Sequence, residues 1–364
     1  MAGRLSERWE RLNSPARIAG VDLARGLAVV GMFAAHLLIT ADAWVWSDPS
    51  TWSSIVDGRS SILFATLAGV SIGLVTGAAV PLAPDRMRTA RGRLAVRAGM
   101  LWVLGILLIL TGVPVYVILP AYAILFLLAL PFTSWPAAPV LWTAAGLGFV
   151  MAFVQPVLDA LPLWSAPFGE EISAALGWNY PFSVWIAFVL AGLGLARSDV
   201  RRLRTQLWML VGGAALAVVG YAGIWAPGAS RYLRAVLNAE PHSSGLLEVI
   251  GTGGFAIAVL GFCLLVCRGR MLRMLLLPLR ATGAMPLTAY TVQLLIWALV
   301  ALAVVGDTGD LRAFRALDPF WPLTIGTIAG CALWALLIGR GPLEWLIDRT
   351  ARLVVPAGQV KAGR

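Results

Sequence analysis

Ten stretches of this chain are almost continuously apolar, and the polar residues between them come in short bursts. The stretches cover about 18 to 41, 59 to 80, 96 to 113, 115 to 132, 137 to 156, 180 to 197, 206 to 225, 244 to 267, 282 to 305 and 319 to 339. Each is near the ~20 residues an α-helix needs to cross roughly 30 Å of hydrocarbon. Their apolar side chains run on without the two-residue alternation of a barrel strand. The pattern predicts an all-α fold: a polytopic membrane helical bundle of about ten transmembrane helices.

Two regions depart from it. The segment from Met274 to Val305 is broken by Pro278, Arg280, Gly283 and Pro286, and is expected to begin as a re-entrant or interfacial piece. GPLEWLIDRTARLV, Gly341 to Val354, places Leu343, Leu346, Ile347 and Leu353 among charges, the mark of an amphipathic helix lying on a membrane surface. No internal repeat and no separate soluble domain is visible. The expected organisation is a basic cytoplasmic N-terminus over 1–17, one transmembrane domain over 18–340 and a cytoplasmic amphipathic segment over 341–364.

Composition agrees: 59% of the 364 residues are hydrophobic and 13% charged, too few charges to cover a water-soluble domain. Charge then orients the bundle. Basic residues gather at Arg4, Arg8, Arg11 and Arg17; at Arg86, Arg88, Arg91, Arg93 and Arg97; at Arg197, Arg201, Arg202 and Arg204; at Arg268, Arg270, Arg273 and Arg280; and at Arg340, Arg349, Arg352, Lys361 and Arg364. With ten spans all five clusters share one side, which the positive-inside rule makes the cytoplasm, so both termini are cytoplasmic. The loops on the other side carry Asp42, Asp48 and Asp57, or Asp159, Glu170 and Glu171, while two more are mixed through Arg231, Arg234, Arg312 and Arg315. This distribution separates the net charge of +10 from the one-faced basic patch of a nucleic-acid binder. The first apolar run reads as a retained helix and not a removed signal peptide. Cys263, Cys267 and Cys331 lie inside spans and form no disulfide framework or metal set.

Polar residues inside the spans are the candidates for chemistry, because ionisable groups at membrane depth usually face an internal cavity or pathway. In the first span Arg25, Val29, Met32 and His36 project within about 60° of one another, with Asp22 one turn below Arg25. Arg25 and His36 are then roughly 16 Å apart along the axis. A local ion pair and a helix–helix hydrogen bond are the plain alternatives for these groups. Imidazole titrates near neutrality and can take a proton from a hydroxyl or amine. Asp57 and Arg59 stand at the outer mouth of the second span. Gly69-Val70-Ser71-Ile72-Gly73 fits the G-x-S-x-G pattern, but it lies mid-helix where that motif needs a strand-to-helix elbow, so small-residue packing is expected. The second histidine enters with NAEPHSSG, Asn238 to Gly245, where Glu240, His242, Ser243 and Ser244 can also be helix-start chemistry with Ser244 as N-cap. In the ninth span Thr288, Thr291 and Gln293 can hydrogen-bond between helices, and Tyr290 and Gln293 can line a cavity.

These stretches carry a resemblance. RIAGVDLARGLAVVGMFAAH at 17 to 36, DGRSSILFATLAG at 57 to 69, PHSSG at 241 to 245, LTAYTVQ at 287 to 293 and GPLEW at 341 to 345 resemble the YeiB-type membrane proteins. That group is similar in its first helices to heparan-alpha-glucosaminide N-acetyltransferase, within the transmembrane acyltransferase superfamily. Relatives often carry a basic residue before the methionine and an asparagine in the ninth-span motif, where this chain has Ala284 and Ala289. The resemblance implies an acyl-CoA donor, acetyl-CoA or another short acyl-CoA, entering from the cytoplasm. It also implies an extracytoplasmic acceptor such as an envelope glycan or glycolipid, and a multi-pass protein of a bacterial-type plasma (inner) membrane. His36 matches the family's first-helix histidine.

The polar groups fit that chemistry. Arginines can hold coenzyme phosphates by charge-assisted hydrogen bonds, although orientation alone explains the clusters. The expected donor-side set is Asp22, Arg25, Arg280, Tyr290 and Gln293. The expected catalytic set is His36, Asp57, Arg59, His242 and Ser243, with His36 as general base or acyl carrier. Asp57 or Glu240 would fix its tautomer, and Arg59 or Ser243 would stabilise the oxyanion. No metal is expected; the bilayer and acyl-CoA are the partners, nucleic acid is not, and a homodimer stays open. The rival classes are a transporter or flippase with the same residues as its path, and a non-catalytic scaffold.

Overall fold

The computed structural model describes residues 17–41, 47–223 and 228–356, together with Arg8, Glu10 and 12–14; Arg4, Arg11, Asp42, Lys361 and Arg364 lie outside them. The described residues form helices and turns without a strand. Ten apolar helices follow in order: α1 (Ala19–Leu37), α2 (Arg59–Val75), α3 (Pro84–Ile109), α4 (Leu119–Ala129), α5 (Ala137–Asp159), α6 (Phe182–Arg197), α7 (Leu203–Ala222), α8 (Leu246–Val266), α9 (Pro286–Val300) and α10 (Phe320–Leu337). A π-helical turn, Ala301–Val305, extends α9. Eight of the ten are long and apolar enough to cross a membrane, α2 together with the 3-10 helix Pro49–Val56 before it and α9 with its π-helical turn, while α4 with its 3-10 extension and α6 are shorter. α11, Pro342–Val354, follows α10.

The chain is a polytopic helical membrane protein, as the hydropathy predicts. The largest boundary error is at α3, which starts twelve residues before the expected 96. Arg86, Arg88, Arg91 and Arg93 therefore lie on a helix, where the sequence reading had a connection. The interrupted segment resolves into short helices Arg270–Leu275 and Leu277–Ala284 ahead of α9.

The basic clusters meet: Arg17, Arg97 and Arg340 line one cavity, and Arg17, Arg201, Arg268, Arg273 and Arg280 line another. Arg97 and Arg340 both pair with Asp348 of α11, at 2.8 and 2.9 Å. Arg93 donates to Val355 O, Arg268 to Arg201 O, and Arg280 to Leu12 O and Arg273 O. This is the arrangement that an even number of crossings between clusters requires. Arg197, 4% exposed, does different work: its guanidinium donates to carbonyls of Gly73, Thr76 and Ala78 around the C-terminus of α2 and to that of Thr133 in the turn after α4, tying the two together.

Close backbone contacts position α1. A methyl on Gly283 would lie 1.7 Å from Asp22 O, and one on Gly26 would lie 2.1 Å from Leu279 O. On other sides of the helix Gly20 meets the backbone of Leu264 and Gly31 meets the Ser60 side chain. A similar seam joins α2 to α6, where Gly69 meets Val189 O and Gly192 meets Thr66 O. Small residues allow this approach where lipid offers no hydrophobic drive between helices. Gly69 and Gly73 of the G-x-S-x-G stretch both face α6, so the stretch packs helices.

Candidate active site at two ends of the first helix

At the basic end Asp22 is almost completely buried and accepts from Arg17 Nε at 3.0 Å and Arg25 Nη1 at 3.2 Å. Arg25 Nη2 also donates to Ser71 Oγ at 2.6 Å. The result is a fixed cation whose partners come from α1 and α2. Arg17, Arg25, Arg97 and Arg340 line one cavity of about 310 Å³, with Ser71, Pro286 and Leu287 among its other walls. Arg17 and Arg25 also border a second cavity of about 360 Å³ beside Asp199 and Arg201. Arg25 thus borders both cavities while its guanidinium is held by Asp22 and Ser71.

The same cavity holds Glu344 of the GPLEW stretch, which is otherwise engaged. Its carboxylate accepts from the backbone N–H of Leu287 and Thr288 at 2.8 and 3.0 Å and from Thr288 Oγ1 at 2.5 Å. A carboxylate there fills the open donors of the α9 N-terminus and complements its dipole. Arg280 is likewise spent on structure, binding Leu12 O, Arg273 O and Asn13 Oδ1, and it borders a neighbouring cavity that also holds Arg268 and Arg273.

At the opposite end His36 closes α1. Its Nδ1 is buried and has no hydrogen-bond partner among the described residues. Its carbonyl accepts from Arg315 Nε and Nη2 at 3.2 and 2.8 Å, so an arginine from the mixed loop caps the C-terminus of α1. His242 and Arg315 lie within electrostatic range of the His36 ring, as Asp57 does of His242. The His242 ring is parallel to Trp185 at 6.4 Å and edge-on to Tyr180 at 5.5 Å. Burial pushes its pKa below the ordinary 6.5, with the Asp57 charge pulling the other way.

The sequence pieces around His242 fit one another closely. Gly58 has φ +65°, and a Cβ there would lie 2.8 Å from Pro241 Cβ, so the D-G-R turn sits directly on the P-H-S-S-G loop. His242 and Ser244 also take positive φ, 62° and 55°. Glu248 in the first turn of α8 holds this conformation by accepting from the backbone N–H of His242 and Ser244, both at 2.6 Å, and from Ser243 Oγ at 3.3 Å. The N-cap is Gly245, and Ser244 Oγ has no partner among the described residues, so the expected Ser244 cap is replaced by a glutamate three residues into the helix. Glu248 was missed, although a carboxylate at that third position is the reach-back half of a capping box.

The remaining expected residues divide. Arg59 donates to Tyr221 Oη at 2.9 Å and to Ser54 O at 2.8 Å and stacks over the Tyr221 ring, so it braces α2 against α7. Ser243 is held by Glu248 and Gly245 N, and Glu240 by Asn238. Tyr290 is in electrostatic range of Tyr180, which is in range of Asp57, so α9 approaches the histidine end as well as the arginine end.

Family comparison agrees with this architecture. The family model for heparan-alpha-glucosaminide N-acetyltransferase, catalytic, matches residues 17–225, more than half of the chain and the part that holds both ends of α1. The chain belongs to this family. A second model, protein of unknown function (DUF418), matches residues 191–353 and takes in the P-H-S-S-G loop, α9 and most of α11. No curated protein matches the chain. Family membership makes it a transmembrane protein of acetyltransferase-like type, with donor, acceptor and mechanism to be read from the site.

Proposed function

We propose that the chain moves a short acyl group from acyl-CoA, held at the basic end, to an acceptor at the opposite end, with His36 as general base. The observation that carries this reading is the contrast along one helix: an arginine bordering a basic cavity at one end and an unsatisfied imidazole nitrogen at the other. The basic end would be cytoplasmic by the positive-inside rule and the membrane a bacterial plasma membrane. Arg17, Arg25, Arg97 and Arg340 suit the phosphates of the coenzyme, because guanidinium forks match phosphate geometry.

His36 would take the proton of an acceptor hydroxyl or amine as its oxygen or nitrogen attacks the thioester carbonyl. The C–S bond breaks, and the thiolate leaves and is protonated. Asp57 lies within electrostatic range of His242, which supports a pair in which Asp57 orients His242 and His242 contacts the acceptor. An envelope sugar or glycolipid is the acceptor class this reading favours, and acetyl-CoA is the donor the family implies.

The test is release of free CoA by purified protein given acetyl-CoA and glucose or glucosamine as acceptor. His36→Ala and His36→Gln are expected to slow release about 100-fold or more, the usual weight of a general base. Both variants should retain wild-type melting. Undiminished turnover would remove His36 from the chemistry. Uptake of solute into proteoliposomes without CoA release would favour a transporter.

A further inference from the structure

One face of α9 carries polar groups that neither end explains. Tyr290, Gln293 and Trp297 follow one another at three- and four-residue spacing and therefore form a single stripe. Gln293 and Trp297 are each 0% exposed. Both atoms of the Gln293 amide and the Trp297 indole N–H have no hydrogen-bond partner among the described residues. Leaving a buried amide unsatisfied costs on the order of 1 to 3 kcal/mol, and in hydrocarbon several, so such groups persist where something meets them.

The stripe runs between the two ends of the site. Leu287 borders the arginine cavity, and Gln293 is six residues further along, about 9 Å at 1.5 Å per residue. Beyond it Trp297 stacks on Phe314 at 4.9 Å, and the neighbouring Arg315 holds the His36 carbonyl. Val292, Leu295, Ile296 and Leu299 point outward on the same helix, so the unsatisfied face is the inner one.

We infer that Gln293, with Trp297 beside it, binds an amide of the donor's pantetheine arm between the arginine cavity and His36. This rests on the acyl-CoA reading above. A side-chain amide both donates and accepts, and pantetheine presents secondary amides that do the same. A flexible arm of that kind satisfies Gln293 at both atoms, which a hydrocarbon chain cannot. Gln293 is then a binding residue that sets how far the thioester reaches, and the nucleotide stays with the arginines.

Titration of two probes into purified wild-type, Gln293→Leu and Gln293→Asn protein separates the possibilities. The probes are desulfo-CoA, which keeps the arm, and adenosine 3′,5′-bisphosphate, which lacks it. Gln293→Leu should weaken desulfo-CoA binding about tenfold, leave the bisphosphate unchanged, and melt like wild type. Gln293→Asn should weaken the arm-bearing probe less. Equal binding of desulfo-CoA to wild type and Gln293→Leu would overturn the inference while leaving the donor site standing. Failure of the wild type to bind either probe would overturn the donor reading itself.

Discussion

The two ends of α1 treat their polar groups in opposite ways. At the basic end Asp22 is shared by Arg17 and Arg25, Arg25 also holds Ser71, and Asp348 gathers Arg97 and Arg340. At the other end His36 Nδ1 stands without a partner among the described residues, and His242 sits against aromatic faces. Paired charges hold a fixed shape and can grip a ligand without rearranging. An unsatisfied imidazole nitrogen is available to take a proton. In the proposed function this difference separates recognition from reaction along one helix.

The largest effect is expected where the two sides share a frame. Gly283→Val would drive a side chain into Asp22 O, and overpacking of this kind costs roughly 1 to 3 kcal/mol. The variant should melt well below wild type and lose donor binding, because α1 carries Asp22 and Arg25 at that contact. Gly99→Val is the control, since nothing lies within 4 Å of a methyl there. Equal melting of the two variants would show that the contact does not hold α1.

Next comes Arg25→Gln, which acts on recognition alone. It should raise the KM for acyl-CoA about tenfold, the weight of one charge-assisted hydrogen bond, with a small change in kcat. A loss confined to kcat would place Arg25 on the reaction side and collapse the comparison.

The smallest effect concerns the outer loop and pH. The folded protein holds His242 below its ordinary pKa of 6.5, so between the two values the unfolded chain binds the extra proton. The stability of this loop is therefore full above 6.5 and declines as pH falls toward the lowered value. Hydrogen-exchange protection factors over 237–245 should fall on acidification through that window in wild type and stay level in His242→Gln. Identical profiles would mean that His242 is not what ties the loop to pH.

Much of this was legible in the sequence because hydrocarbon makes polar residues conspicuous. His36, Asp22 and Arg25 stand out in an apolar run, and basic clusters separated by even numbers of spans predicted that they would share an end. The start of α3 was hidden because hydropathy marks membrane depth, and four arginines between Pro84 and Ala95 extend the helix beyond it. Arg197 reads as one more loop charge until its carbonyl partners are seen. Glu344 and Arg315 escaped because their partners lie 57 and 279 residues away, a separation that no local pattern encodes. Gln293 was already expected on the donor side; three dimensions added that both atoms of its buried amide lack a partner among the described residues.

The glycine contacts around α1 also bear on how cargo could move. Within twelve residues the helix touches three neighbours at backbone or near-backbone distance, through Gly20, Gly26 and Gly31. A pump that rocks one half of its body against the other needs a seam along which helices slide, and α1 is stitched on several sides. Such a frame suits the proposed transfer, in which a small group on a flexible tether would be handed across a stationary protein.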